Sequence, residues 1–163
     1  MINIRHTEIA DLPAVMGVYA HARAMMKQTG NPDQWRDSYP PERLIIDDIK
    51  NRNSYVIEQN GEICGVFFFR IGEDPTYRRI DGQWLCDAPY GVIHRIAGNG
   101  RMKGVFPQCV AFCAEKIANL RVDTHHDNKL MQHQIEKCGF TRCGIIYLED
   151  GSPRIAYQRV SGS

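Results

Sequence analysis

The chain lacks long apolar runs and any marked excess of charge. Its longest apolar stretch, Ile63 to Phe69, is far shorter than the ~20 residues of a membrane-spanning helix, and the N-terminus has no signal-peptide core. Lys and Arg number 20 against 19 Asp and Glu, for a formal charge of +1. Nucleic-acid binders and proteins held electrostatically on membranes usually carry a clear basic excess. We therefore expect a cytoplasmic protein with no nucleic-acid or membrane partner.

Cysteine pairs of the kind that bind metals are also missing. The 6 cysteines include no Cys-x-x-Cys pair, and an even count does not imply disulfides in a reducing compartment. Cys109 and Cys113 are spaced as on one helix face, and His125 and His126 follow, but this spacing is wrong for known zinc ligand pairs. We expect the cysteines to pack in the core and expect no metal site.

The composition that is present is that of an ordinary globular protein. Hydrophobic residues make up 43% and charged residues 24% of 163 positions. This length is close to the ~150 residues of one typical domain. A chain of this size buries roughly two thirds of its unfolded surface without a disulfide or metal. We expect a single domain over residues 1–160.

Apolar periodicity and turn residues predict the element order β-α-α-β-β-β-α-β-α-β-β. Asn60-Gly61 between two apolar segments is typical of a hairpin, and residues 72–90 are a polar connection with a short strand fragment. Residues 91–124 have the pattern of a strand, a helix over about 103–118 and a second strand, and such a crossover makes two strands parallel. Hairpins make the others antiparallel. We expect an α/β fold with a mixed, mostly antiparallel central sheet flanked by helices.

A glycine-rich turn follows the predicted strand, with the sequence Gly98-Asn99-Gly100-Arg101-Met102-Lys103-Gly104. Glycines let the backbone approach a ligand, and the free N–H groups of a helix N-terminus favour a phosphate. The glycine spacing also matches a nicotinamide-dinucleotide fingerprint, with Asp123 as a ribose-binding acid. A dinucleotide fold needs several consecutive β-α-β units, whereas this chain has one. The order of elements therefore argues against a nicotinamide cofactor.

Four motifs in a fixed order resemble the GNAT superfamily of N-acetyltransferases. They are Ile93-His94-Arg95-Ile96-Ala97, then Arg101-x-x-Gly104-x-Phe106, then Asn128, then Glu136-Lys137-Cys138-Gly139-Phe140. The family has a strand, an (Arg/Gln)-x-x-Gly-x-(Gly/Ala) pyrophosphate loop, a helix, a strand, an Asn, and a helix that ends in Gly-Phe. The resemblance covers about residues 91–147, and the element order of the whole chain agrees with it.

The resemblance implies a GNAT-type fold, acetyl-CoA as the cosubstrate and no metal. It implies that the strand from His94 to Ala97 pairs with the pantetheine arm, and that an N–H near Ile96 or Ala97 polarises the thioester carbonyl. Two positions depart from the family. Phe106 replaces a small residue, and Ile135 stands where many members carry a Tyr that protonates the thiolate. The cofactor contacts expected from the resemblance are Ile96, Ala97, Arg101, Met102, Lys103, Gly104, Val105, Phe106 and Asn128.

The resemblance further implies acetyl transfer to an amine of a small molecule or peptide, by direct attack in a ternary complex. Asp123, His94, His125 and His133 are the candidate general bases, although His133 is expected on the surface of its helix. His94 alternates with Arg95 along a strand, so only one of the two should face the cleft. Tyr147 would replace the missing acid if its strand passes the thiol.

The acceptor site is expected in the break between the first two helices, where GNAT members commonly build it. Gln34, Trp35 and Tyr39 would form its wall, although Trp35 could instead anchor the helix pair. Two other functions stay open. Phe106 and Ile135 favour a non-catalytic acyl-CoA-binding module, and the glycine spacing favours a nicotinamide-dependent oxidoreductase. Edge strands would also allow a homodimer.

Overall fold

The computed structural model describes residues 1–160, and its elements follow the predicted order, with the expected strand fragment in the 72–90 connection. The strands are β1 (Ile2–His6), β2 (Ser54–Gln59), β3 (Glu62–Ile71), β4 (Asp81–Gly82), β5 (Gly91–Gly98), β6 (Asn119–Thr124), β7 (Thr141–Tyr147) and β8 (Pro153–Val160). The helices are α1 (Leu12–Gln28), α2 (Glu42–Lys50), α3 (Val105–Ala114) and α4 (Lys129–Lys137). None of the helices in the described residues is long and apolar enough to cross a membrane.

The eight strands form one mixed sheet in the order β1-β2-β3-β5-β6-β8-β7-β4. The pair β5–β6, which the crossover through α3 joins, is parallel, and the other neighbouring pairs are antiparallel. This confirms the predicted mixed, mostly antiparallel sheet flanked by helices. It also differs from a dinucleotide-binding sheet, which needs consecutive parallel strands.

The two parallel strands separate soon after they begin. They pair at Gly91–Leu120 and Val92–Arg121 and then splay apart. A bulge bends β5 at this point: Arg95 has φ 49°, and β5 places Arg95 and Ile96 opposite the single residue Phe67 of β3. The splay leaves a gap in the middle of the sheet, so main-chain groups of β5 beyond Val92 have no partner on β6.

The two faces of the sheet have separate cores. On one face α3 and α4 pack over β2, β3 and β6, through a cluster that includes Phe67, Cys109 and Ile135. On the other face α1 and α2 pack against β2 and β3. The 72–90 connection covers the rest of that second face with Tyr77 and Tyr90. The gap between β5 and β6 therefore opens between helices on one side and this connection on the other.

The ends of α3 differ from the prediction. The helix was expected over about 103–118 but spans Val105–Ala114. Gly104 has φ 78°, a left-handed conformation that cannot belong to a right-handed helix. At the other end the amides of Lys116 and Ile117 both donate to Cys113 O, which closes the last turn. The glycine that was predicted to lie inside the helix is its N-cap.

The cysteines follow the expectation of core packing only in part. All 6 are free; Cys64, Cys109 and Cys113 are buried in the core, whereas Cys86, Cys138 and Cys143 are partly exposed. Burial raises the pKa of the Cys109 thiol on α3. Among the described residues, the group of possible metal ligands that comes together is His125, His126 and Asp127, which includes neither cysteine.

Candidate active site

A cavity of about 530 Å3 occupies the gap between β5 and β6. Its walls are the splayed strands, the segment between α1 and α2, the start of α4 and the β7–β8 turn. This size is within the ~300–1,000 Å3 range of small-molecule sites. The sequence-predicted site residues that line it are Gln34, Trp35, Tyr39, His94, Ile96, Asp123, His125 and Asn128.

His94 lies between two carboxylates at the floor of this cavity. Its Nε2 is 2.8 Å from Asp74 Oδ2, and its Nδ1 is 3.8 Å from Asp123 Oδ2. Burial acts to raise the pKa of Asp74, but the hydrogen bonds from His94 and Thr76 outweigh it and hold that pKa well below its usual value. Since ionised Asp74 can only accept, the Nε2 proton lies between His94 and Asp74. A neutral ring would then carry its lone pair on Nδ1, the nitrogen that faces Asp123 Oδ2 at 3.8 Å.

Asp123 is held by a second residue of the same turn that carries Asp74. The Tyr77 hydroxyl donates to Asp123 Oδ2 at 2.7 Å. Burial, together with the charge of Asp123, raises the pKa of Tyr77 far above its usual value, so the phenol stays protonated and keeps donating. Asp74 caps this turn by accepting from the Thr76 amide. One short turn, Asp74 to Tyr77, thus orients both His94 and Asp123.

Arg95 also lines the cavity, contrary to the expectation that only one of His94 and Arg95 would face it. The bulge breaks the strand alternation on which that expectation rested. The Arg95 guanidinium makes two hydrogen bonds to Asp48, at 2.8 and 2.9 Å, and stacks over Phe68. The Tyr19 hydroxyl donates to Arg95 O at 2.8 Å. These contacts stabilise the bulge, and Asp48 neutralises the charge of Arg95.

His125 lines the cavity, but its geometry argues against a role as general base. Its Nδ1 accepts from the backbone N–H of Asp127 at 3.0 Å, which leaves the ring proton on Nε2. Burial, and then the charge of Arg154, lower the pKa of His125, so the ring is neutral near pH 7. A neutral ring whose lone pair is already engaged donates a hydrogen bond into the cavity and does not remove protons.

Tyr147 is not in the main cavity. Its hydroxyl donates to Asp81 Oδ2 at 3.0 Å, and the side chain lines a neighbouring cavity of about 410 Å3. The alternation of side chains along β7 does not predict which cavity Tyr147 lines, because that depends on where the short edge strand β4 pairs with β7. Ile135, at the position of the family's Tyr, is fully buried in the core. We therefore assign Tyr147 no role in protonating the thiolate.

The glycine-rich loop, with the expected cofactor residues Ala97 and Arg101 to Phe106, does not line this cavity but leads into the N-terminus of α3. Val105 and Phe106 are in the first turn of the helix, where N–H groups have no intrahelical acceptor, whereas Pro107 has no N–H to offer. A Cβ on Gly65 or on Gly98 would come within 3.1 Å of a Val105 methyl. Glycine at these two strand positions lets the start of α3 approach the sheet.

The side chains of the loop have other roles. Met102 and Phe106 are buried in the core, where Phe106 packs on Phe140, so the bulk of Phe106 does not crowd the loop. Arg101 is exposed and pairs with Glu62. Lys103 is exposed. The contribution of this segment to a ligand is therefore mainly its backbone.

The segment between α1 and α2 forms the opposite wall. Gln34 Oε1 accepts from Asn128 at 3.1 Å and from Asn31 at 2.8 Å, which joins this wall to the start of α4. Asn128 Oδ1 accepts from the Met131 amide, so both polar atoms of the Asn128 side chain are occupied. Trp35 is buried against Tyr19 and also lines the cavity, so it is both anchor and wall.

Sequence reasoning missed Asp74, Arg154 and the hydrogen bond from Tyr77. Asp74-Pro75-Thr76 is typical of a capped turn, which was a usable signal for the position of Asp74. Arg154 stands at the start of the apolar run Ile155-Ala156-Tyr157, and a cation beside a buried strand segment usually has a specific role.

Of the comparisons with known proteins, the one with solved structures finds matches. No protein-family model matches the chain, and no curated protein matches it. Among solved structures, the chain is 31% identical to a GNAT-family acetyltransferase from Streptococcus agalactiae, over 99% of this chain and 96% of the other, with a TM-score of 0.89.

Two further structures share the fold at lower identity. A GNAT-family acetyltransferase from Listeria monocytogenes is 17% identical over 98% of this chain and 95% of its own, with a TM-score of 0.72. A Salmonella typhimurium protein solved with its cofactor acetyl-CoA is 15% identical over 98% of this chain and 93% of its own, with a TM-score of 0.61.

Proposed function

The chain belongs to the GNAT family of acetyltransferases, and from this premise we propose that it transfers the acetyl group of acetyl-CoA to an amine by direct attack in a ternary complex. The observation that carries the proposal is the position of His94 and Asp123. Their facing atoms, Nδ1 and Oδ2, are 3.8 Å apart at the floor of the cavity, and the turn from Asp74 to Tyr77 orients both.

The residues on the other side of the gap fit acetyl-CoA. The N–H groups of Val105 and Phe106, at a helix start preceded by left-handed Gly104, are suited to the pyrophosphate. The unpaired edge of β5 beyond Val92 offers main-chain groups to the amides of the pantetheine arm. When bound, acetyl-CoA supplies an electrophilic thioester carbonyl and a thiolate leaving group.

His94 and Asp123 divide the work on the acceptor. Asp123 accepts a hydrogen bond from the amine and positions it, since Tyr77 fixes one of its oxygens. His94 Nδ1 takes the proton from nitrogen as the nitrogen–carbon bond forms, and Asp74 stabilises the resulting imidazolium. The carbon–sulfur bond then breaks, the thiolate takes a proton from solvent, and the His94 imidazolium releases its proton to solvent, which restores the base.

The bulge in β5 supplies a candidate donor for the carbonyl oxygen. Arg95 and Ile96 face one residue of β3, so the ladder is interrupted there. We assign polarisation of the carbonyl to the N–H of Ile96. Preorganised donors of this kind contribute on the order of 3–4 kcal/mol to a transition state.

Calorimetric titration with acetyl-CoA, with free CoA and NADPH as comparisons, tests the ligand class. We expect micromolar binding of acetyl-CoA and none of NADPH. Preferential binding of NADPH would instead support the oxidoreductase, and absence of acetyl-CoA binding would overturn the proposal.

Release of free thiol from acetyl-CoA with a broad panel of amines tests the reaction. We expect release that requires an amine and yields the N-acetyl product by mass spectrometry. Binding of acetyl-CoA without thiol release from any amine would support the non-catalytic acyl-CoA-binding module.

A further inference from the structure

Arg154 is a buried cation at the acceptor end of the cavity. It lies on β8, its side chain lines the cavity, and the residue is only 8% exposed. Its Nη1 donates to Pro153 O at 2.8 Å. The guanidinium forms no salt bridge with a carboxylate among residues 1–160.

A buried Arg that forms no direct ion pair is uncommon, because the charge loses its hydration. Asp123 and Asp150 favour the charged form of Arg154 through their own charges, but neither is in hydrogen-bond contact with its guanidinium. The other buried Arg of the cavity wall shows the usual arrangement, since Arg95 is paired twice with Asp48. Burial lowers the pKa of Arg154, although a guanidinium remains charged in proteins. The positive charge of Arg154 also contributes to the lowered pKa of His125 in the cavity wall.

The position of Arg154 relative to Asp123 follows from the strand register. Asp123 pairs with Ala156, and Arg154 shares the face of Ala156 because side chains alternate along a strand. Diagonal neighbours of this kind are roughly 7–8 Å apart across a sheet. The cavity therefore has Asp123 and His94, the proposed amine-binding groups, and the cation Arg154 on neighbouring positions of the same sheet face.

The remaining charges at this end favour a monoanion. Asp150 is exposed and accepts from Ser152, and Arg36 is exposed at the rim. A phosphate dianion beside Arg154 would also face the negative charges of Asp123 and Asp150. A single carboxylate matches one guanidinium in charge and in planar, two-point geometry.

We propose that the acceptor is a free amino acid, whose carboxylate binds Arg154 while its amine lies between His94 and Asp123. The inference rests on the proposed acetyl transfer and names its substrate class. The cavity of about 530 Å3 also has to admit the acetyl end of the cosubstrate, so it favours one amino acid over the N-terminus of a protein.

The test measures thiol release from acetyl-CoA with four matched sets of acceptors. These are the common L-amino acids, their carboxamides, the corresponding aminoalkylphosphonates, and tripeptides that begin with the same residues. We expect kcat/KM for the best amino acid to exceed that of its carboxamide by about 100-fold, because the amide leaves the guanidinium without an anion. Equal rates for acid and amide, or a preference for the phosphonate or the tripeptide, would overturn the inference while leaving acetyl transfer intact.

Two variants connect this preference to Arg154. Arg154→Gln should reduce the ratio of acid to amide to near one, and Arg154→Lys should restore part of it. Arg142→Gln, which removes an exposed cation on the neighbouring strand, is the control and should keep the wild-type ratio.

Calorimetric binding of acetyl-CoA shows whether each variant is folded. If Arg154→Gln does not fold, the acid-to-amide ratio of the wild-type protein still decides the inference, and an unchanged ratio in a folded Arg154→Gln would refute it. Thiol release with no amine of any set would overturn acetyl transfer itself.

Discussion

The two sides of the gap between β5 and β6 are built in different ways. The side that we propose for the cofactor would use the backbone of one continuous segment, Gly98 to Phe106, whose side chains are mostly in the core or exposed to solvent. The acceptor side uses side chains from distant segments, such as Asp74, Asp123 and Arg154. A site of main-chain N–H groups tolerates most side-chain changes except at its glycines. A site of side chains loses its function with single substitutions.

The largest effect is expected from the one cofactor-side position where a side chain should matter. Gly104→Asp places a carboxylate beside the pyrophosphate amides at a residue with φ 78°. We expect loss of measurable acetyl-CoA binding in calorimetry. Gly104→Asn is the matched control, because Asn has nearly the same shape, carries no charge and tolerates the left-handed conformation. Equal affinity in the Asp variant and the wild type would show that the ligand lies elsewhere.

On the acceptor side, His94→Gln should lower kcat by about 10²–10⁴-fold with little change in acetyl-CoA affinity, since it removes the proposed base. Steady-state kinetics with a responsive amine, together with calorimetry, measures the two effects separately. A parallel loss of binding would indicate a structural role for His94.

Asp123→Asn should have a smaller effect, about 10- to 100-fold on kcat, because the amide still accepts one hydrogen bond but loses the charge near the amine. Binding of acetyl-CoA should be unchanged. Tyr77→Phe, which removes only the hydroxyl that donates to Asp123, is the companion variant and should lower kcat less. An intact rate in Asp123→Asn would remove Asp123 from the mechanism.

Asp74→Asn should reduce stability in a pH-dependent way. The pKa of Asp74 is below its ordinary value of 3.8, so the ionised form stabilises the folded state at neutral pH. This contribution to the free energy of unfolding is complete at pH values above the pKa of Asp74 in the unfolded chain. It is lost as the pH falls through the lower pKa of Asp74 in the folded protein. Urea unfolding should therefore show a deficit at pH 7 that shrinks below about pH 4. A deficit that is constant with pH would show that the charge of Asp74 is not its cause.

The smallest effect is expected at Arg101 on the cofactor side. Its guanidinium is exposed and already paired with Glu62, so Arg101→Ala should weaken acetyl-CoA binding by only about two- to fivefold. The effect should decrease at high salt, because exposed charges are screened. A loss as large as that in Gly104→Asp would mean that the Arg101 side chain, and not the backbone, holds the pyrophosphate.

This contrast also explains which parts of the site could be predicted. The loop was identified from its glycines because backbone geometry restricts residue type within one short segment. Asp123 was named because it ends a strand beside the predicted cleft, and His94 because it lies within the neighbouring strand of the crossover. The expected alternation of His94 with Arg95 was wrong. The bulge that invalidated it depends on pairing with β3, which periodicity within β5 does not contain.

Local patterns in the chain were enough for the order of elements, the mixed sheet and the family, since each depends on residues close together in sequence. The phosphate-binding role of the glycine-rich loop stays a prediction. Tertiary structure alone decided that Asp74 and Tyr77 are hydrogen-bonded to His94 and Asp123, that Tyr147 lines another cavity, and that buried Arg154 forms no salt bridge among residues 1–160. These contacts join residues far apart in sequence, such as Tyr77 and Asp123 at 2.7 Å. Their positions depend on strand register and on the splay of β5 from β6, and only the packed sheet determines both.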